Sequence, residues 1–226
     1  MIHLSIAHMF SGIFYRYKLA MFRGKKLILA TNNIHKQKEM DALLNDMDIK
    51  IVGLNQYSQV GEIDETGKTL IENSFIKSRT VNVLTGVPSL ADDTGLEVDA
   101  LGGKPGVYSA RYAGENPTYE DNVNKLLVEL GDLPKEKRTA RFKTVVTFVD
   151  GFEELFSEGV IEGVITSFPK GEDGFGYDPI FQPKGYSLTF AEMAKNEKNN
   201  ISHRAQALFK MKKILKQYLE KGATIG

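Results

Sequence analysis

The sequence lacks cysteine and tryptophan altogether. With no thiol there can be no disulfide framework, no thiolate zinc site, no iron–sulfur cluster and no cysteine nucleophile. A reducing compartment, the cytoplasm, is the matching expectation. Excess charge of one sign is missing too: 29 Lys and Arg stand against 29 Asp and Glu, which removes the electrostatic footprint of a protein that coats nucleic acid or an acidic membrane. No nucleic acid and no membrane is expected as a partner, and any phosphate must be met by a local site. No apolar run approaches the roughly 20 residues that cross a bilayer. Histidine is scarce: of four, His3 and His8 lie near the start, leaving His35 and His203, too few for a histidine metal cluster. A metal acting here would be held by carboxylate oxygens, which suits Mg2+ or Mn2+.

What is present is an ordinary globular composition, 42% hydrophobic and 10% aromatic. Its apolar pattern alternates strands with helices and points to the α/β class. Residues 1–24 form an extension in which Arg16 and Lys18 follow the apolar pieces, the reverse of a secretory signal. It is expected to be a dispensable tail or an overlong translation start, with residues 25–226 making one domain. Residues 27–30 and 49–53 read as strands. Helices are expected over residues 36–45, with Met40, Leu43 and Leu44 on one face, and over 69–84, with Ile76, Val81 and Leu84 inward. A third spans 118–130, where Val123, Leu126, Leu127 and Leu130 recur at helical spacing. Residues 89–92 and 96–100 read as strands parted by a turn at Asp93, Thr94 and Gly95. Residues 140–149 and 155–165 are β-branched and aromatic runs joined by Asp150-Gly151, a hairpin signal. A last helix covers about 202–219 and carries Leu208, Leu215, Tyr218 and Leu219.

Several segments hold groups suited to chemistry. Residues 61–69 nearly spell a P-loop, but five residues instead of four precede the Gly67-Lys68 pair, and three of them are acids that would repel phosphates. Those acids suit metal ligation, or else a solvated loop whose Asp or Thr caps the next helix. Thr31-Asn32-Asn33-Ile34-His35-Lys36 joins the first strand to the first helix, where backbone N–H groups and a partial positive charge favour phosphate. An N-cap and turn would use the same residues. Ala91-Asp92-Asp93-Thr94-Gly95 sets two carboxylates side by side; alternation sends them to opposite faces unless the chain turns between them. One could bind metal or take a proton from water, and a plain Asp-Thr-Gly turn is the alternative. In Gly174-Phe175-Gly176-Tyr177-Asp178 the rings of Phe175 and Tyr177 offer a face to a base, or return to the core. Lys198 and Ser202-His203-Arg204 cluster donors at the head of the last helix, or form a solvated basic face.

In this order and wording, the segments resemble the inosine triphosphate pyrophosphatase family, the noncanonical purine nucleoside triphosphate pyrophosphatases. The resemblance runs from about Lys26 to the last helix. It rests on Thr31-Asn32-Asn33 with Lys36, on Glu65-Thr66-Gly67, on Glu72-Asn73 with Lys77, on Asp92-Asp93-Thr94-Gly95-Leu96, on the continuous stretch 101–112, on Phe175-Gly176-Tyr177-Asp178-Pro179, and on Lys198 with Ile201-Ser202-His203-Arg204. It implies an elongated α/β protein with a long curved mixed β-sheet flanked by helices, two lobes around a central nucleotide-binding cleft, and usually a homodimer. The implied reaction is Mg2+-dependent cleavage of the α–β phosphate bond of ITP, dITP or XTP, giving the monophosphate and pyrophosphate. By the same resemblance, Asp93 is the base that deprotonates the attacking water, and Glu65 with Asp93 holds the metal. Thr31, Asn32, Asn33, Ile34, His35, Lys36, Lys77 and Thr94 are implied to hold the triphosphate, and Phe175, Gly176, Tyr177, Asp178, Lys198, His203 and Arg204 the sugar and base.

These roles suit the residue types, because displacement at phosphorus needs positioning and charge neutralisation more than covalent help. Hypoxanthine and xanthine present a 6-oxo acceptor where adenine presents an amino donor, so a donor from Arg204 or nearby backbone would reject ATP. Thr94 stands where Ser is common in the family, keeping the hydroxyl but adding a methyl, and Ala205 stands where Gly is usual, a change from which little effect is expected because Ala is the better helix residue. The rival readings are a pyrophosphatase of other modified or ordinary dNTPs, with the same phosphate machinery and another base pocket, and a nucleotide-binding module without catalysis.

Overall fold

The long β-branched runs pair into the middle of one curved mixed sheet, and the shorter apolar runs extend it on both sides. A computed structural model describes residues 26–47 and 49–221; the extension 1–24 lies outside the described residues. Strands β1 (Lys26–Leu29), β2 (Lys50–Gly53), β3 (Ser89–Val98), β5 (Thr139–Val149), β6 (Glu154–Ile165) and β7 (Phe181–Pro183) lie in the order β2-β1-β3-β5-β6-β7, and β4 (Pro105–Gly106) pairs with β3. The β1 contacts to β2 and β3 are parallel, and the β3-β5-β6-β7 run is antiparallel. Helices α1 (Ile34–Leu44), α2 (Leu70–Thr85), α3 (Tyr119–Leu130), α4 (Lys195–Ile201) and α5 (His203–Lys221) flank it. Among the described residues no helix is long and apolar enough to cross a membrane.

Three expectations need correction. Residues 93–95 do not turn: β3 runs unbroken through them, because Asp93, Thr94 and Gly95 pair in register with Val145, Thr144 and Lys143 of β5. A long partner strand overrides local turn propensity. The hairpin expected at Asp150-Gly151, by contrast, is present: β5 and β6 pair antiparallel around the loop 150–153, where Asp150 Oδ1 accepts from the backbone N–H groups of Phe152 and Glu153 at 3.0 and 2.9 Å. Leu84 is 49% exposed, not inward. The buried side of α2 is mostly polar: Asn73, Ser74, Lys77, Ser78, Val81 and Asn82. There the Oγ atoms of Ser74 and Ser78 each lie 2.9 Å from Oγ1 of Thr147, and the Ser89 hydroxyl donates to the Ser78 carbonyl. A search for apolar periodicity is blind to such a face. Finally, the last helical stretch begins earlier and is interrupted at Ser202, whose extended backbone (ψ 154°) ends α4 and whose Oγ accepts from Ala205 N at 3.2 Å.

The remaining elements follow the apolar spacing. Met40 and Leu44 of α1 and Leu208, Met211 and Leu215 of α5 close one core over Leu29, Leu90, Val146 and Phe148. Val123, Leu126 and Leu130 of α3 close a second with Leu96, Val98, Phe142, Phe181 and Phe190. The two cores use the same face of β3 and β5, at opposite ends. Between them that face carries Asp92, Thr94 and Thr144, so a polar gap interrupts the apolar layer.

Helix α5 reaches this gap only because β6 yields to it. A methyl group on Gly159 would lie 2.0 Å from the His203 carbonyl oxygen and 2.6 Å from Ala207 N. Gly159→Ala is therefore expected to destabilise the fold by about 1–3 kcal/mol through overpacking and to shift the helix head that bears His203 and Arg204. Urea denaturation checks this; an unchanged midpoint would contradict the close packing.

Candidate active site

Alternation along β3 sends the two neighbouring aspartates to opposite sides of the sheet. Asp92 faces α1 and α5. Its Oδ2 lies 3.2 Å from Lys36 Nζ and accepts from Arg204 Nε at 3.1 Å. Arg204 also donates to Thr94 Oγ1 at 3.2 Å and pairs with Glu39, a residue of α1. Glu39 in turn accepts from Lys198 Nζ at 2.9 Å, and Lys198 donates to Asp178 Oδ2 at 2.7 Å. A continuous chain of alternating charge thus ties α1, β3, α4, α5 and the 174–178 loop together. Burial opposes ionisation of Asp92 and Glu39, but the cations around each override it, Lys36 and Arg204 for Asp92 and Arg204 and Lys198 for Glu39. Both carboxyls are held below the usual range.

Asp93 faces the other way, toward α2. Its Oδ1 accepts from Lys77 Nζ at 3.2 Å, and the same ammonium donates to Glu65 Oε1 at 2.9 Å. Thr69 starts α2 with a capping box closed by Glu72, and Asn73 Oδ1 accepts from Gly67 N at 2.7 Å, which fixes the loop that presents Glu65. Burial pushes the Asp93 carboxyl up in spite of Lys77 and Lys36.

The two arrays meet in a cleft of about 340 Å3. Of the residues singled out in the sequence, Thr31, Asn32, Asn33, Lys36, Glu65, Lys77, Asp93, Thr94, Phe175, Gly176, Tyr177, Asp178, Lys198, His203 and Arg204 all line it. Ile34 and His35 do not: both are exposed, and the His35 ring stacks on Phe175. The backbone N–H groups of His35 and Lys36 are already taken, donating to Asn33 Oδ1 at 3.0 and 3.2 Å, so the turn is an N-cap as well as a cleft wall. Lys36 is held down by burial. His203 stacks on Phe142 with ring centroids 4.5 Å apart; burial, reinforced by Arg204 and Lys198, lowers its pKa well below the ordinary value and keeps it neutral. Asp178 accepts from Phe175 N at 2.8 Å, so one carboxylate orders the aromatic loop and anchors Lys198. Among the described residues, Asp92 Oδ1, Asp93 Oδ2, His203 Nδ1 and Asn73 Nδ2 are buried without a hydrogen-bond partner. Asp93 and His203 line the cleft, Asp92 lies behind its wall between Lys36 and Arg204, and Asn73 holds the Glu65 loop. Such atoms are uncommon in folded proteins, and their concentration here marks a place built to be completed by a ligand.

A model of the Ham1 family matches residues 27–214. The chain belongs to the Ham1 family. It is 46% identical over 197 residues to a dITP/XTP pyrophosphatase of Caldanaerobacter subterraneus subsp. tengcongensis, covering 86% of this chain and 98% of that one. It is likewise 46% identical over 187 residues to a dITP/XTP pyrophosphatase of Shigella flexneri, covering 81% and 94%. Among solved structures, a HAM1 protein from Coxiella burnetii superposes with a TM-score of 0.77 at 42% identity, covering 85% of this chain and 98% of that one.

Among the residues of this Ham1 site that sequence reasoning missed, Glu39 and Tyr119 have identifiable partners. Glu39 lies one helical turn beyond Lys36 and beside the buried Met40, a spacing that would have flagged an acid close to the core. Tyr119, the first residue of α3, lines the cleft and its hydroxyl accepts from Asn33 Nδ2 at 3.2 Å; nothing local announced that.

Removing the Asp92 charge leaves Lys36 and Arg204 buried without it, so Asp92→Asn is expected to cost about 3–5 kcal/mol of stability at neutral pH. Because the folded-state carboxyls of Asp92 and Glu39 are depressed, the unfolded chain takes up their protons first as pH falls. Their contribution is complete above the unfolded range near pH 4 and is lost below it. Asp178, raised by burial, acts in the opposite direction. Urea midpoints from pH 7 to pH 3 should show the wild-type advantage over Asp92→Asn shrinking toward acid; a gap independent of pH would contradict this.

Proposed function

We propose that the chain is a Mg2+-dependent pyrophosphohydrolase of noncanonical purine nucleoside triphosphates, cleaving ITP, dITP or XTP between the α and β phosphates. The observation that carries this reading is the buried Asp93 carboxyl, with one oxygen unpartnered, sharing Lys77 with Glu65 at the wall of a cleft that also holds Lys36 and an aromatic loop. The pyrophosphatase name of relatives that are nearly half identical over most of their length supports it.

The donor set fits a hard cation. Glu65 and Asp93 converge on one ammonium, Asp93 Oδ2 has no partner, and no cluster of three or more His, Cys, Asp or Glu among the described residues could hold a metal by itself. Two carboxylates completed by substrate phosphate and water suit Mg2+, with Mn2+ as a substitute. When bound there, the ion supplies neutralisation of phosphate charge. Asp93, whose proton affinity is raised by burial, accepts a proton from the water that attacks phosphorus. The bond to the bridging oxygen breaks, and pyrophosphate leaves. Lys36, Lys77, Thr31, Asn32, Asn33 and Thr94 donate to phosphate oxygens, which is positioning and charge stabilisation without a nucleophilic side chain. Phe175 offers a stacking face to the base. Neutral His203, with Nδ1 unpartnered, and the Arg204 guanidinium are the donors available to a 6-oxo group. An amino group at that position would leave a buried donor unpaired. A homodimer and a cytoplasmic location belong to the same reading, and analytical ultracentrifugation tests the former.

Pyrophosphate release from ITP, dITP, XTP, ATP and GTP, with Mg2+ or EDTA, tests the assignment. Turnover is expected only with the metal, with kcat/KM for ITP about 10^4-fold above that for ATP. Asp93→Asn is expected to lower kcat by about 10^2 to 10^4-fold, the usual span for loss of a general base. Equal use of ATP would overturn the base assignment, and no turnover of any triphosphate would favour a binding module.

A further inference from the structure

We propose that His35 is a positioning residue for the nucleobase: it backs the Phe175 ring from outside the cleft and sets the face that the purine meets. The resemblance placed His35 among the triphosphate ligands; the geometry gives it a different task. The proposal rests on the functional reading above in taking a purine as the ligand.

Phe175 sits between two glycines with positive φ, Gly174 at 79° and Gly176 at 63°, so the local backbone does little to orient the ring. Asp178 fixes the Phe175 backbone N–H but not the side chain. What holds the ring is a set of neighbours from elsewhere in the chain. The His35 imidazole stacks on it with centroids 5.2 Å apart and planes 21° from parallel, and Tyr119 lies 6.0 Å away, tilted by 47°. Lys198 Nζ and Arg204 Cζ sit 5.1 and 5.6 Å from the ring centroid. Of these four, Tyr119, Lys198 and Arg204 line the cleft, as Phe175 does, and His35 does not. His35 thus occupies the side of the ring turned away from the ligand.

His35 is itself well held. It is the second residue of α1, and its N–H donates to Asn33 Oδ1, while Asn33 Nδ2 donates to the Tyr119 hydroxyl. Tyr119 also meets the His35 ring edge-on at 6.3 Å. The phosphate-side turn, the start of α3 and the aromatic loop therefore form one connected assembly across the cleft. It bridges elements that pack on different cores, α1 on one and α3 on the other. A ring oriented before the base arrives loses less conformational freedom on binding, which is the general source of affinity from preorganisation. Without His35 the Phe175 ring keeps its chemistry and loses its aim.

The test compares wild type, His35→Ala, His35→Phe, Phe175→Ala and the His35→Ala/Phe175→Ala double variant. Measured quantities are kcat and KM for ITP, and binding of IMP and of inorganic tripolyphosphate by calorimetry. His35→Ala is expected to raise KM and weaken IMP binding by about tenfold, the scale of one aromatic stack. The effect on kcat should be smaller, and tripolyphosphate affinity should be unaffected. His35→Phe should recover most of the loss, and His35→Ala should add little in the Phe175→Ala background, because it acts through that ring. Any of three results would overturn the proposal: unchanged KM and IMP affinity, tighter or faster nucleotide binding in His35→Ala, which would make the stack an obstruction, or an equal loss with tripolyphosphate or without Phe175. Failure of the functional reading looks different, since wild type would then release no pyrophosphate from ITP whatever stands at position 35.

Discussion

Consecutive side chains on a strand point to opposite faces, and everything at this site depends on that rule acting at Asp92 and Asp93. Had the chain turned at residues 93–95, both carboxylates could have shared one environment. Because β3 continues, they have separate ones. Asp92 is locked between Lys36 and Arg204 and held ionised, while Asp93 sits beside Lys77 and Glu65 with a raised proton affinity. One carboxylate is a structural counter-ion, the other is available for chemistry.

The polar gap between the two apolar cores follows from the same strand. Leu90 belongs to one core and Leu96 to the other, and Asp92 and Thr94 lie between them on the same face. Burying charge there is costly, and it is tolerated because each ion has an opposite partner: Glu39 links Arg204 to Lys198, and Asp178 links Lys198 to the aromatic loop. The network orders the side chains before any ligand arrives. It also uses much of the hydrogen-bonding capacity of its members, so the buried atoms left unpaired on cleft-lining residues, Asp93 Oδ2 and His203 Nδ1, stand out as places for a ligand. Close backbone approach makes the arrangement possible: Gly159 lets α5 settle against β6 so that His203 and Arg204 reach the cleft.

Much of this was legible in the residues. The periodic apolar positions of α3 and α5 and the β-branched runs of β5 and β6 specify the cores, since burial selects for them directly. The site residues were legible as separate motifs, and all but Ile34 and His35 line one cleft. What the sequence hid depends on pairing and distance. Residues 93–95 look like a turn until β5 is known to pair with them. The inward side of α2 carries Ser74 and Ser78 against Thr147, a hydroxyl contact with no hydrophobic period. Glu39 and Tyr119 acquire their roles from partners at great sequence separation, Arg204 for the first and Asn33 for the second.

The division of labour between the two aspartates is the central claim, and anomalous diffraction tests it most directly. Crystals grown with Mn2+ and a non-hydrolysable ITP analogue are expected to show the manganese peak against Asp93 and Glu65, with Asp92 still bound to Arg204. A peak against Asp92, or Arg204 parted from it when nucleotide is present, would contradict the account.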